Sequence, residues 1–190
     1  MKTAVITLDL INDICNQKGK IARFSQRITD KQIIKKANIA TEWSRKNNHL
    51  TIHVRVGFHD HYQEASPSSP IFSQVKNNQA LNLCSWGGQF CKSLEINKRD
   101  IIITKHRVSA FYGTNLDLLL RANRIDHLVL MGVATNNAVE LTAREAHDRD
   151  YQVTIIADAT ETASDEEQQA SLHFLKRIAN IITLNELIKN

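Results

Sequence analysis

Three places in this 190-residue chain set charged or hydrogen-bonding groups where an apolar run ends. Asp9 closes "AVITLD", and a carboxyl that leaves the core there can move protons if its pKa is tuned. The commoner role of such a residue is to cap a turn. Lys105 follows "DIIIT"; beside a carboxylate in a partly dry site it would hold that carboxylate ionised, and elsewhere it is a surface charge. The third place is "GVATNNAVELTAREA" from Gly132, where small residues form a strand-to-helix turn. Backbone N–H groups at such a turn can face a developing oxyanion, although tight packing of strand on helix calls for the same small residues.

Groups far apart in sequence meet only if regular elements carry them. Short apolar runs rich in β-branched residues predict strands at 4–10, 50–56, 100–104, 127–133, 152–158 and 180–184. Amphipathic stretches between them predict helices over 30–47 (starting after Thr29 or Asp30), 115–124 (capped near Thr114 or Asn115), 136–149 and 165–177 (starting near Ser164). Strand and helix alternate, which requires crossover connections. The predicted fold is a three-layer α/β/α sandwich, Rossmann-like, with a mostly parallel sheet of five or six strands. In open parallel sheets ligands bind at the carboxyl ends of the strands, where Asp9, Lys105 and the turn after Gly132 all fall. The exception to the alternation is 57–99, which holds both prolines and is read as a lid on the substrate side of one 1–190 domain.

Composition excludes several classes. The formal charge of +4 comes from lysines and arginines interspersed with acids, as on a solvated helix face, so no nucleic-acid partner is expected. No apolar run is long enough to span a membrane, the N-terminus "MKTAVITLDL" does not read as a signal peptide, and three cysteines without paired spacing argue against a disulfide framework. A cytoplasmic location is expected.

The three strand ends together resemble the isochorismatase-like cysteine hydrolases, which include nicotinamidases, carbamoyl-amide hydrolases and isochorismatases. In "TLDLINDI", Asp9 matches the family's first-strand aspartate and Asn12-Asp13 the polar pair after it, with Ile11 where glutamine is common. Lys105 matches the family lysine, and Ser109-Ala110-Phe111 with Gly113-Thr114 match the phrase that follows it. "GVATNNAVELTAREAHDRDYQVTIIADAT" matches the segment that carries the cysteine nucleophile, whose place Ala138 takes. The resemblance implies a cis bond between Val133 and Ala134 and an oxyanion site from the backbone of Val133, Ala134 and Ala138. It also implies a homodimer or larger homo-oligomer that acts on a small molecule without a cofactor.

In such a family a thiolate attacks an amide, the aspartate handles protons and the lysine supports the charges. Ala138 removes the first role. Two explanations stand: a native cysteine was replaced, or the chain belongs to a branch that works without a thiol, which Asn136, Asn137 and "SAFYGT" favour. Isochorismatases dispense with the cysteine, because a vinyl ether needs only protonation at carbon and addition of water, so Asp9 would serve as general acid. An amidase impaired by the missing thiol, or a binding protein that has lost catalysis, is the alternative. Arg55, Phe111, Tyr112 and Asn137 are the candidate substrate contacts, with Phe58, Phe72 and Trp86 as further aromatic walls. Cys15 is a candidate substitute thiol, though such a cysteine is more often a packing residue. Metal-dependent nicotinamidases use an aspartate and histidines near "HVRVGFHDHYQ", but His53, His59, Asp60 and His61 do not reproduce that spacing, and no metal is expected.

Overall fold

The computed structural model describes residues 1–189. Its sheet has six strands, β1 (Thr3–Leu8), β2 (Leu50–Val56), β3 (Ile101–Lys105), β4 (His127–Val133), β5 (Gln152–Glu161) and β6 (Asn180–Ile182). They run in the order β3-β2-β1-β4-β5-β6, and every pairing is parallel. Period-two alternation along the central strands feeds two cores. Ala4, Ile6 and Leu8 of β1 and Leu128 and Leu130 of β4 face one layer; Val5, Val129 and Met131 face the other. The first layer is covered by α4 (Leu116–Ala122), α5 (Glu140–His147) and α6 (Asp165–Leu175), the second by α3 (Ile33–Lys46) and α7 (Leu184–Lys189), so the predicted three layers are present. Both faces of the central strands are buried, which is why their sequences are nearly continuous apolar runs.

Helix starts follow the expected chemistry where a hydroxyl is available. Ser164 Oγ accepts from the Glu167 N–H at 3.1 Å ahead of α6, and Thr114 Oγ1 accepts from Leu116 N–H at 3.1 Å ahead of α4. Two helices differ from expectation. The stretch 30–47 is broken: α2 (Ser25–Asp30) ends where Lys31 N–H closes on the Arg27 carbonyl, Gln32 turns left-handed (φ 55°), and α3 starts afresh at Ile33. Thr29 and Asp30 therefore end a helix instead of starting one. The predicted 136–149 helix opens with a π-helical turn, Thr135–Val139, before α5. Neither α1 (Asn12–Cys15) nor α7 was foreseen.

Residues 57–99 contribute no strand or helix; two isolated bridges, Ile11 to Phe90 and Phe58 to Asn82, fasten them to the body and to themselves. They have a small core of their own around Phe58, Tyr62, Phe72, Val75 and Leu81. Asp13, on α1, clasps this excursion: its carboxylate accepts from Leu81 N–H at 2.7 Å and from Lys20 N–H at 3.1 Å. Gly87 lies so close that a Cβ there would meet the Asp13 carboxylate at 2.3 Å, so only glycine lets the clasp shut.

Candidate active site

The strand order reverses at the β1/β4 junction, the point where an open α/β sheet offers a crevice. Asp9 leaves β1 there in a left-handed conformation (φ 56°), and the π-helical turn leaves β4 beside it. The two strands press together at Gly132, whose φ of 117° suits glycine and where a Cβ would fall 2.2 Å from the Leu8 carbonyl oxygen. The peptide bond from Val133 to Ala134 is cis, as the family resemblance implies. Around this junction lies a cavity of 340 Å³, a size suited to a small ligand, with Asp9, Lys105, Val133, Ala134, Asn137 and Ala138 in its lining. The predicted meeting of Asp9, Lys105 and Ala138 at one cavity is thus found.

Lys105 belongs to β3, two strands away from β1, and its long stem carries the ammonium across the end of β2. Its Nζ donates to Asp9 Oδ2 at 2.8 Å, to the Val108 carbonyl at 2.8 Å and to the Arg107 carbonyl at 3.2 Å. Three acceptors around one head group hold it in place. The other Asp9 oxygen accepts from Val56 N–H at 2.6 Å. Burial pushes the Asp9 carboxyl above the ordinary aspartate value, and the opposing pull of Lys105 and of the Val56 N–H does not cancel it. The site therefore sets a carboxyl whose pKa burial raises within hydrogen-bond reach of the Lys105 head group, a pairing suited to proton delivery.

Not every candidate joins this group. Asn137 lines the cavity, but Arg55, Phe111 and Tyr112 do not. Phe111 is buried in the core between the sheet and α5, stacked on Tyr151 with ring centroids 6.0 Å apart. The Ala110 N–H donates to Thr142 Oγ1 on α5 at 3.0 Å, and this draws the phrase against the helix and turns the next side chain inward. Arg55 lies one residue before the cavity-lining Val56, so strand alternation sends it to the opposite face; there it donates to Thr104 Oγ1 at 3.2 Å and lies over the Phe90 ring. Tyr112 is 63% exposed. Of the three further aromatics expected from sequence, Phe72 reaches the cavity, with Phe58 packed edge-on behind it at 5.4 Å. Trp86 is exposed.

Cys15 is buried behind the site, its Sγ 3.8 Å from the Asp9 carbonyl oxygen, and does not line the cavity. A hydrogen bond with the Cys91 thiol, with burial second, pushes its pKa up, away from a reactive thiolate. His53 spends both ring nitrogens inside the core, on Thr7 Oγ1 at 2.8 Å and Asp100 Oδ2 at 3.2 Å, and burial lowers its pKa. Reading the sequence missed Arg23, Phe24, Ile71, Val75 and Leu81, which supply much of the wall. The available signal was continuity: a chain that leaves β1 at Asp9 must cross the same edge before it reaches α3.

Residues 3–186 match the Isochorismatase domain family. The chain is 34% identical over 191 residues to the uncharacterised isochorismatase family protein YwoC of Bacillus subtilis, covering 99% of this chain and 93% of that one. It is 32% identical over 186 residues to the ureidoacrylate amidohydrolase RutB of Klebsiella pneumoniae, covering 90% and 78%. The fold is shared with a cysteine hydrolase from Pseudomonas syringae, at a TM-score of 0.90 and 22% identity over 99% of this chain and 91% of that one. Family match, relatives and fold agree over almost the whole length, and the chain belongs to the isochorismatase family of hydrolases.

Proposed function

We propose that this chain hydrolyses a small enol-ether substrate, with Asp9 as general acid, Lys105 as its electrostatic support and Ala138 at the position the family gives to its cysteine. One observation carries the reading: among the residues that line the cavity around the buried Asp9–Lys105 pair, none is a cysteine, serine, threonine or tyrosine. A route through a thiol or hydroxyl nucleophile then lacks its attacking atom, and water takes that part. Water suffices where protonation first makes the substrate electrophilic. Asp9 gives its proton to the terminal vinyl carbon and the carbon that bears the ether oxygen becomes oxocarbenium-like; water adds there and returns a proton to the Asp9 carboxylate, and the hemiketal breaks its C–O bond, its hydroxyl proton passing to the departing oxygen, to leave a ketone and the alcohol. Amides of the turn that includes Val133, Ala134 and Ala138 face the polar end of the substrate, with Asn137 at the rim. Residues 57–99 act as the lid, since Phe72, Val75 and Leu81 give one wall to the cavity. The protein works as a single 1–190 domain in a cytoplasmic homodimer or larger homo-oligomer, without a cofactor, nucleic acid or membrane.

The likeness to a ureidoacrylate amidohydrolase favours a second reading, an amide-binding cavity whose turnover is impaired by the methyl group at Ala138. Isochorismate and a panel of ureido and carboxamide compounds, assayed with wild type and Asp9→Asn, separate the two. Wild type should hydrolyse the enol ether, with kcat/KM falling as pH rises through the raised pKa of Asp9, because the protonated carboxyl is the active form. Asp9→Asn should lose that activity while keeping the fold. Unchanged enol-ether hydrolysis in Asp9→Asn sinks the proposed acid, and amide turnover exceeding enol-ether turnover in wild type favours the second reading.

A further inference from the structure

A second group of side chains with chemistry of its own lies outside the cavity, where the start of the 57–99 excursion meets the end of β3. His59, Glu64 and His106 offer three ligand atoms, all within 4.8 Å of one another. Their surroundings resemble the outer shell of a metal site. His106 Nδ1 is 2.6 Å from the Gly57 carbonyl oxygen; donating there fixes the ring and its tautomer and leaves the Nε2 lone pair free. Glu64 is anchored through its backbone, whose carbonyl accepts from Arg107 Nη1 at 2.8 Å. One of its carboxylate oxygens contacts His59 Nδ1, and the other is buried without a hydrogen-bond partner. The two imidazoles stand with centroids 5.9 Å apart, tilted at 45°.

We propose that His59, Glu64 and His106 form a binding site for a zinc-class divalent cation that pins the 57–99 excursion to the end of β3. Two imidazoles and one carboxylate are a donor set suited to Zn²⁺, with water completing a tetrahedron, whereas Mg²⁺ and Ca²⁺ favour oxygen ligands throughout. Among the histidines and the aspartate weighed from sequence, only His59 takes part: His53 is committed inside the core, and Asp60 accepts from Asn82 Nδ2 at 3.1 Å. None of the three ligands lines the cavity beside Asp9, so the ion acts on the loop and not on the substrate. Its effect is a cross-link between segments more than 40 residues apart, which ties down the start of a region that has no helix or strand to hold it.

The test uses the full chain after chelator treatment, titrated with Zn²⁺ alone or Mg²⁺ alone in a calorimeter. One Zn²⁺ per chain should bind, Mg²⁺ should not compete, and trypsin cleavage within 57–99 should slow when Zn²⁺ is present. His106→Ala and Glu64→Gln should each weaken Zn²⁺ binding by at least about tenfold. His61→Ala, at an exposed neighbour, should leave it unchanged. Glu64→Gln keeps the side chain's size and so remains informative if His106→Ala fails to fold. Absence of Zn²⁺ binding overturns the proposal, as does binding that survives both ligand variants or disappears with His61→Ala.

Discussion

Replacing Lys105 with methionine retains a long apolar stem and removes the charge. The ammonium, 1% exposed, gives hydrogen bonds to Asp9, Arg107 and Val108; without it the Asp9 carboxylate keeps only the Val56 N–H. Breaking a buried pair in this way costs about 3–5 kcal/mol while the remaining partner stays charged. Asp9 escapes by taking up a proton. Its folded-state pKa, already raised by burial, rises further, while its unfolded value stays at about 3.9. Between those two values the folded chain binds more protons than the unfolded one, so the unfolding free energy falls as pH rises, by at most about 1.4 kcal/mol per pH unit. The charge penalty therefore grows as pH rises above the unfolded value of about 3.9 and is largely gone at and below it. The two carbonyls that lose a donor add about 1–3 kcal/mol that does not depend on pH. Urea unfolding of wild type and Lys105→Met across this range gives the difference directly, and Asp9→Asn/Lys105→Met removes the titrating group. A stability loss equal at every pH, or an unchanged pH slope in the double variant, refutes the reasoning.

Two further substitutions test the site and its boundary. Ala138→Cys places a thiol beside Lys105 and the turn amides, and amide turnover should rise at least about tenfold over wild type in a carboxamide hydrolysis assay. Equal turnover in both proteins would show that the missing sulfur is not what limits amide chemistry. Phe111→Ala removes a ring from the core beside Tyr151 and should cost about 3–5 kcal/mol in urea unfolding, with KM unchanged for the folded fraction; a raised KM at unchanged stability would return Phe111 to the substrate site.

Strands were legible because parallel strands buried on both faces are written as β-branched runs; β2 and β4 match their predicted spans, and β1 and β3 lie within two residues of theirs. Strand order was not, since crossover length does not say which neighbour a strand joins. The convergence of Asp9 and Lys105 came from motif resemblance. Alternation could have placed Arg55: a residue next to Val56 must face the other way. Phe111 was beyond such reasoning, because its segment is held by contacts with distant elements, among them the Ala110 N–H bond to Thr142 and the stack on Tyr151. The cavity walls stayed hidden for a different reason. Phe24, Phe72, Val75 and Leu81 belong to stretches without periodicity, and what orders part of them is the Asp13 carboxylate, whose partners are backbone N–H groups and carry no side-chain signature.

The central position of β1 also bears on how the chain comes off the ribosome. Its first partner, β2, follows within the next fifty residues, but the other edge of Thr3–Leu8 waits for β4, whose first residue is 119 positions beyond Leu8. At about 5–20 residues per second that edge stays open for roughly 6–24 s. It is "TAVITL", uncharged and rich in β-branched residues, a sequence well suited to pairing with another nascent copy. The arrangement that gathers a reactive edge from distant parts of the chain thus makes synthesis the period of greatest exposure to aggregation, and slower translation between β2 and β4 lengthens it.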